Sequence, residues 1–153
     1  MIENLQHFVG SWPGALQWIG VALIGTIPFV ESYIGSVIGI VIGVHPVIAA
    51  ICAVLGNVAI MIAIAFITDS VRKRATRGKE RTTTPGKARV KKLFDRFGVP
   101  GVALLGHPTQ ISTAALIALG APRTKVIVWE LISIVLWGTI VAVVAGLGIS
   151  ALS

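Results

Sequence analysis

Basic residues are missing from the first 71 positions of this chain of 153 residues, and acidic ones are scarce throughout, with six Asp and Glu in all. Charged residues make up 12% of the sequence against 55% hydrophobic, where a soluble domain carries about a quarter charged. That balance excludes an ordinary water-facing surface. One cysteine, Cys52, stands inside an apolar run; it excludes an intrachain disulfide, leaves the redox compartment open, and reads as a small packing residue. The three histidines are scattered rather than spaced for a metal, and the chain lacks G-x-S-x-G, H-E-x-x-H and a Walker-type glycine loop. No metal, cofactor or enzymatic activity is therefore expected, and primary active transport by this chain alone is excluded. A cleaved leader needs a basic start, but positions 1 to 13 offer only Glu3 and His7 as ionisable side chains, so the first apolar block is expected to be retained.

What is present comes in blocks. Apolar stretches cover roughly 15–30, 33–44, 47–68, 99–121 and 126–149, too continuous for the alternating faces of a soluble fold. Val47 to Thr68 and Val126 to about Ile149 read as transmembrane helices, each long enough at helical rise for a hydrocarbon core of about 30 Å. Eleven of the thirteen Lys and Arg lie between Arg72 and Arg96, and Arg123 and Lys125 are the other two. This is the charge pattern of a cytoplasmic loop, so the first of these helices runs from outside to inside. Within the loop, Val90, Leu93, Phe94 and Phe97 fall on one face of a helix while Lys91, Lys92 and Arg96 occupy the other. That segment is expected to lie on anionic lipid headgroups, an alternative being a solvated coil. A membrane role for Phe94 and Phe97 removes the aromatic support for nucleic-acid binding.

As a full span, the block from Val99 to Ala121 would deliver Arg123 and Lys125 to the outside. A re-entrant hairpin broken at Gly106, His107, Pro108, Thr109 and Gln110 avoids that conflict. The stretch from Ala15 to Val44 reads the same way with opposite direction, interrupted at Thr26, Pro28 and Glu31; the alternative is two tilted spans. The expected fold is an all-α integral membrane protein of two inverted repeats, residues 1–71 and 97–153, each a re-entrant hairpin plus a transmembrane helix. They are joined by the basic linker of residues 72–96 with its amphipathic helix. Two runs of small residues four apart, Gly35, Gly39 and Gly43, and Gly138, Ala142 and Gly146, read as packing seams.

An ionisable group inside an apolar segment is expensive and therefore a functional candidate. Glu31 has no basic residue before Arg72 to pair with, and Glu130 lies about a turn or more into the last helix, where snorkelling or an ion pair is the alternative. Hairpin tips at mid-depth would bring Glu31, Asn57, His107, Thr109 and Gln110 around a cavity suited to a proton or cation coupled to an amphipathic substrate. Glu130 and Arg123 complete the candidate set, with Pro28 and Pro108 as the hairpin breaks. Asn57 and Gln110 have a second reading, as groups that satisfy backbone freed at the breaks.

The segment IPFVESYIGSVIGIVIGVHP, Leu55-Gly56-Asn57, RFGVPGVALLGHP and Gly120-Ala121-Pro122-Arg123 together resemble the small multidrug export family, short bacterial membrane proteins distantly similar to the DedA, or SNARE-associated, superfamily. The likeness covers about residues 20–149. Its most specific part is Pro28-x-x-Glu31, similar to the Pro/Glu motif at the first hairpin tip of those families. The second tip departs: Gly106-His107-Pro108-Thr109-Gln110 stands where the larger DedA proteins place an arginine beside the proline. The resemblance implies a multi-pass protein of the bacterial plasma membrane that exports small amphipathic compounds or flips a lipid phosphate, with proton coupling. A homo-oligomer, or a non-transporting accessory role in a larger membrane complex, would suit so short a chain.

Overall fold

The computed structural model describes residues 1–75, 85–105 and 110–152, with side chains in those ranges other than 75, 85–91, 93, 146 and 149–152. Every regular element among the described residues is helical. In order these are α1 (Ile2–Gly10), a 3₁₀ turn (Gly14–Leu16), α2 (Gln17–Gly25), α3 (Glu31–Val41), α4 (Pro46–Ala75), α5 (Pro85–Leu105), α6 (Gln110–Leu119) and α7 (Arg123–Leu152). Two of them, α4 and α7, are long and apolar enough to cross a membrane. Both exceed the expected spans: the polar residues 69–75 continue α4, and the polar residues 123–125 open α7. At 30 residues each they extend about 45 Å at helical rise.

The chain divides into two compact units, Met1–Ala59 with Ile134–Ser153, and Ile60–Ser133. The division falls inside α4 and inside α7, so each unit owns one hairpin and a portion of both long helices.

In the first unit α2 and α3 form the hairpin. At 9 and 11 residues its legs extend only about 14 and 17 Å, half the hydrocarbon thickness. The legs close because Gly39 leaves room for Val21 and Ala49, and Gly35 for Ala53 and Gly25. Where α2 crosses α4 the contact is backbone to backbone: Gly25 sits on the carbonyl of Ala53, and Gly56 on the carbonyl of Ala22. Gly138 of α7 sits against Val54 and Ser32. Three glycines of the two seams, Gly35, Gly39 and Gly138, thus pack within this unit. Gly43 is not part of them: it has φ +96 with open space around it, and it ends α3. The amides of Gly43 and Val44 return to the carbonyls of Ile40 and Gly39, the paired bonds of a left-handed helix stop.

The short α1 was not foreseen in the sequence. It bends by 119° from the following 14–25 segment, and its Val9 fills the space left by Gly20. Val9 is fully buried with Ile24, Val30 and Ile38, with Leu5 alongside.

In the second unit α5 is broken at Gly98, whose φ of 66° and ψ of −164° suit glycine alone. Pro100 then stands in the first turn of the following leg, where its missing N–H costs nothing. Val99 and Val102 of that leg pack with Leu116 and Ile117 of α6, Ala65 of α4 and Val126 of α7. Before the break, Phe94 is half-buried against this cluster, whereas Phe97 is exposed beneath the Arg96 guanidinium at 5.0 Å. The two rings expected on one lipid-facing stripe therefore have different surroundings, because Phe94 is taken up by the core. Val90, Lys91 and Leu93 lie outside the described side chains. α6 ends as α3 does, at Gly120 (φ +110), with the amides of Gly120 and Ala121 returning to Ile117 and Leu116.

Candidate functional site

The sequence-derived residues fall into two sets, one in each unit. In the first, the chain leaves α2 at Gly25, turns through Pro28 and begins α3 at Glu31. Phe29 and Glu31 hold φ values of 70° and 51°, the two non-glycine residues with positive φ among the described residues. Such conformations cost energy and persist where surrounding contacts fix them. The fixing contacts surround Glu31. Its carboxylate is 0% exposed and accepts a 2.6 Å hydrogen bond from the Tyr33 hydroxyl. The backbone amide of Glu31 donates to the Ile27 carbonyl. The neighbouring Ser32, also buried, accepts a 3.4 Å bond from Asn57 Nδ2 of α4.

That last bond sets the position of the turn along α4. Asn57 stands about 17 Å along α4 from Pro46 at the helical rise, half the thickness of a hydrocarbon core. Asn57 thus bonds Ser32, the residue next to Glu31. Tyr33 was missed, although it is the chain's single tyrosine and follows the carboxylate by two positions.

The second set centres on Glu130 of α7. It is 1% exposed and accepts a 2.8 Å hydrogen bond from Ser112 Oγ of α6, so its carboxyl does not snorkel to water. Gln110 and Thr113 of α6 and Ser133 of α7 are buried in the same unit. Ser133 Oγ donates at 2.6 Å to the Ala103 carbonyl near the end of α5, about 15 Å along α7 from Arg123 at helical rise. Thr113 Oγ1 has no hydrogen-bond partner among the described residues. Ser112 and Thr113 were legible only as hydroxyls beside Gln110 in an apolar leg. His107, Pro108 and Thr109 lie outside the described residues.

Arg123 belongs to neither carboxylate set. Its Nη1 lies 3.1 Å from Asp69 Oδ2 of α4, and its guanidinium covers the Phe66 ring at 4.1 Å. Lys73 pairs with the same Asp69 oxygen at 2.8 Å. A cation at a helix N-terminus opposes the macrodipole, and Asp69 offsets this by supplying a counter-charge from the end of α4. The start of α7 is thereby held beside α4 at Asp69, within the last two turns of α4.

Among the described residues no three His, Cys, Asp or Glu side chains converge as a metal site. Compared with family models, curated proteins and solved structures, the chain finds no match.

Proposed function

We propose that this chain is a secondary transporter whose two hairpins are re-entrant, arranged as an inverted repeat in a bacterial plasma membrane, and that Glu31 couples substrate movement to a proton. Such a protein would export small amphipathic compounds or flip a lipid phosphate, as the likeness to the small multidrug export family implies. The observation that carries the reading is Glu31 itself. A fully buried carboxyl at a strained helix break, beside the middle of a membrane-length helix, is an expensive arrangement that packing alone does not call for. A carboxyl there can hold a proton in one state and release it in another. Support for re-entrance comes from the short legs and from the Asp69–Arg123 pair, which brings the start of α7 beside the last turns of α4. The alternative is a non-transporting accessory subunit of a larger membrane complex; the packing of Gly35, Gly39 and Gly138 inside the first unit supports the transporter reading over it.

The test is substrate uptake or lipid translocation in proteoliposomes across a pH gradient. Glu31→Gln keeps the shape of the protonated acid and should insert normally while losing the pH dependence. Glu31→Asp should retain part of it. An unchanged pH profile in Glu31→Gln would make the residue structural.

A further inference from the structure

Helix α1 turns its sides to different surroundings. One side meets the first hairpin: Val9 is fully buried in the space that Gly20 leaves, and Leu5 packs against the same cluster. With successive residues about 100° apart around the axis, Glu3, Asn4 and His7 fall together on the opposite side, and all three are exposed. Phe8 stands on the flank between the two. It is 54% exposed, with its ring edge-on to that of Trp12 at 5.3 Å. A carboxylate, an amide and an imidazole turned towards acyl chains would each be costly. The outer side of α1 therefore belongs to water or to headgroups, although the helix packs on a hairpin built almost wholly of apolar residues.

The level of α1 in the unit agrees. Helix α4 is long and apolar enough to cross a membrane, which puts its Pro46 start at one surface and its basic last turn, Arg72 to Arg74, at the other. α1 is found at the Pro46 end. Its Gly10 approaches Ile42, which follows the last residue of α3 and precedes Pro46 by four positions. Gln6, His7, Gly10 and Ser11 line a cleft of about 480 Å³ with that same Ile42, and its polar walls suit a hydrated layer rather than hydrocarbon. Close by in sequence, the exposed Trp18 donates its indole N–H to the Ala15 carbonyl at 2.7 Å. Phe8, Trp12 and Trp18 are thus the kind of residue that is enriched where a membrane meets water. The bend of 119° between α1 and the 14–25 segment lets the chain turn from that surface into the first leg.

We infer that α1 lies in the headgroup layer at the membrane surface where α4 begins, and that its partner there is zwitterionic phospholipid. The lipid class follows from charge. The first 71 residues hold no Lys or Arg, and Glu3 is on the side turned to the headgroups, so anionic lipid has nothing to attract it and one carboxylate to repel it. This is the opposite of the basic segment before the second hairpin. Val9, seated at Gly20, ties the surface helix to α2. The inference is independent of whether the protein transports anything.

Nitroxide depth measurements on the full chain in phosphatidylcholine liposomes test it. In a Cys52→Ala background, Asn4→Cys, His7→Cys and Phe8→Cys each carry one label, and collisions with oxygen and with a water-soluble nickel chelate report its depth. Labels at positions 4 and 7 should stay in water, and the label at 8 should lie about 5–10 Å beneath the phosphates. Depth that changes steadily from 4 to 8, as for a helix entering end-on, overturns the inference, and so does a label at 8 as wet as those at 4 and 7. Replacing half of the phosphatidylcholine by phosphatidylglycerol should leave the label at 8 at the same depth or raise it towards water; a deeper label refutes the lipid class. Photolabelling of the wild type needs no variant to fold. Phosphatidylcholine with a diazirine in the headgroup should mark residues 1–18, and the same lipid with the diazirine at the end of an acyl chain should not; the reverse pattern refutes the surface position.

Discussion

Adding one methyl group at Gly56 should force α2 away from α4. A Cβ at that position overlaps the carbonyl oxygen of Ala22 and stands 2.8 Å from its carbonyl carbon. Both are backbone atoms, so no rotamer change relieves the overlap and one helix has to move. Glycine to alanine inside a helix otherwise stabilises by about 1 kcal/mol. Against that, overpacking between two backbones costs roughly 1–3 kcal/mol, while the surfaces opened around Val21, Cys52 and Ala53 meet detergent or lipid and carry no further water-transfer penalty. The net loss is up to about 2 kcal/mol, a fall in Tm of up to roughly 8 °C for a chain of this size. Gly148 is the matched control, because an added Cβ there meets nothing within 4 Å; Gly148→Ala should be neutral or stabilise by up to about 1 kcal/mol. Melts of the two variants, followed by tryptophan fluorescence and by size exclusion in one detergent, measure the difference. Should Gly56→Ala melt with or above Gly148→Ala, the backbone contact between α2 and α4 is not real. The same displacement would pull Asn57 from Ser32, so transport should fall together with stability.

The remaining expectations concern the second unit and topology. Cysteines placed at Thr83 and Thr124 in a Cys52-free background should both resist a membrane-impermeant thiol reagent in intact cells; labelling at 124 alone would remove the second re-entrant hairpin. Phe94→Ser should lower Tm by carving into the cluster of Val99, Val102 and Leu116, by about 2–4 kcal/mol, whereas Phe97→Ser should leave Tm unchanged and loosen only vesicle association; equal effects would contradict their different burial. Asp69→Ala and Arg123→Ala should show a coupling of about 1 kcal/mol in a double-mutant cycle, shrinking in high salt, and a coupling near zero would mean that the pair does not hold α7 to α4.

The long helices could be read from the sequence because a bilayer imposes length and apolar composition, and α4 and α7 meet both. The two carboxylates could be read for a similar reason: Glu31 and Glu130 are conspicuous in apolar blocks. What escaped was relational. Leu5 and Val9, four apart, are too few to announce α1 among Glu3, Asn4, Gln6 and His7, yet one of them fits Gly20 closely enough to tie the segment down. Spacing placed Gly43 in a seam with Gly35 and Gly39, although spacing cannot separate a glycine that admits a neighbour from one that admits a positive φ. Gly25 and Gly56, which make the closest approach, have no repeating small-residue partner and so gave no signal. Asp69 and Arg123 lie 54 positions apart, and only the hairpin between them makes them neighbours.

The matching stops of α3 and α6 assign mobility within each hairpin. At Gly43 and again at Gly120 two amides fold back onto the leg just completed, and a proline, Pro46 or Pro122, starts the long helix within three residues. The far leg of each hairpin is therefore joined to its long helix as through a stiff elbow, with little slack for translation. The near leg is reached by looser means: the Trp12 to Leu16 bend before α2, and the single non-helical residue Gly98 before the leg that starts at Val99. Any displacement of a hairpin tip should swing about the elbow, like a door on its jamb. Amides of Val44 and Ala121 would then stay protected from solvent deuterium throughout the proposed transport cycle, while those of the turn carrying Phe29 report each opening.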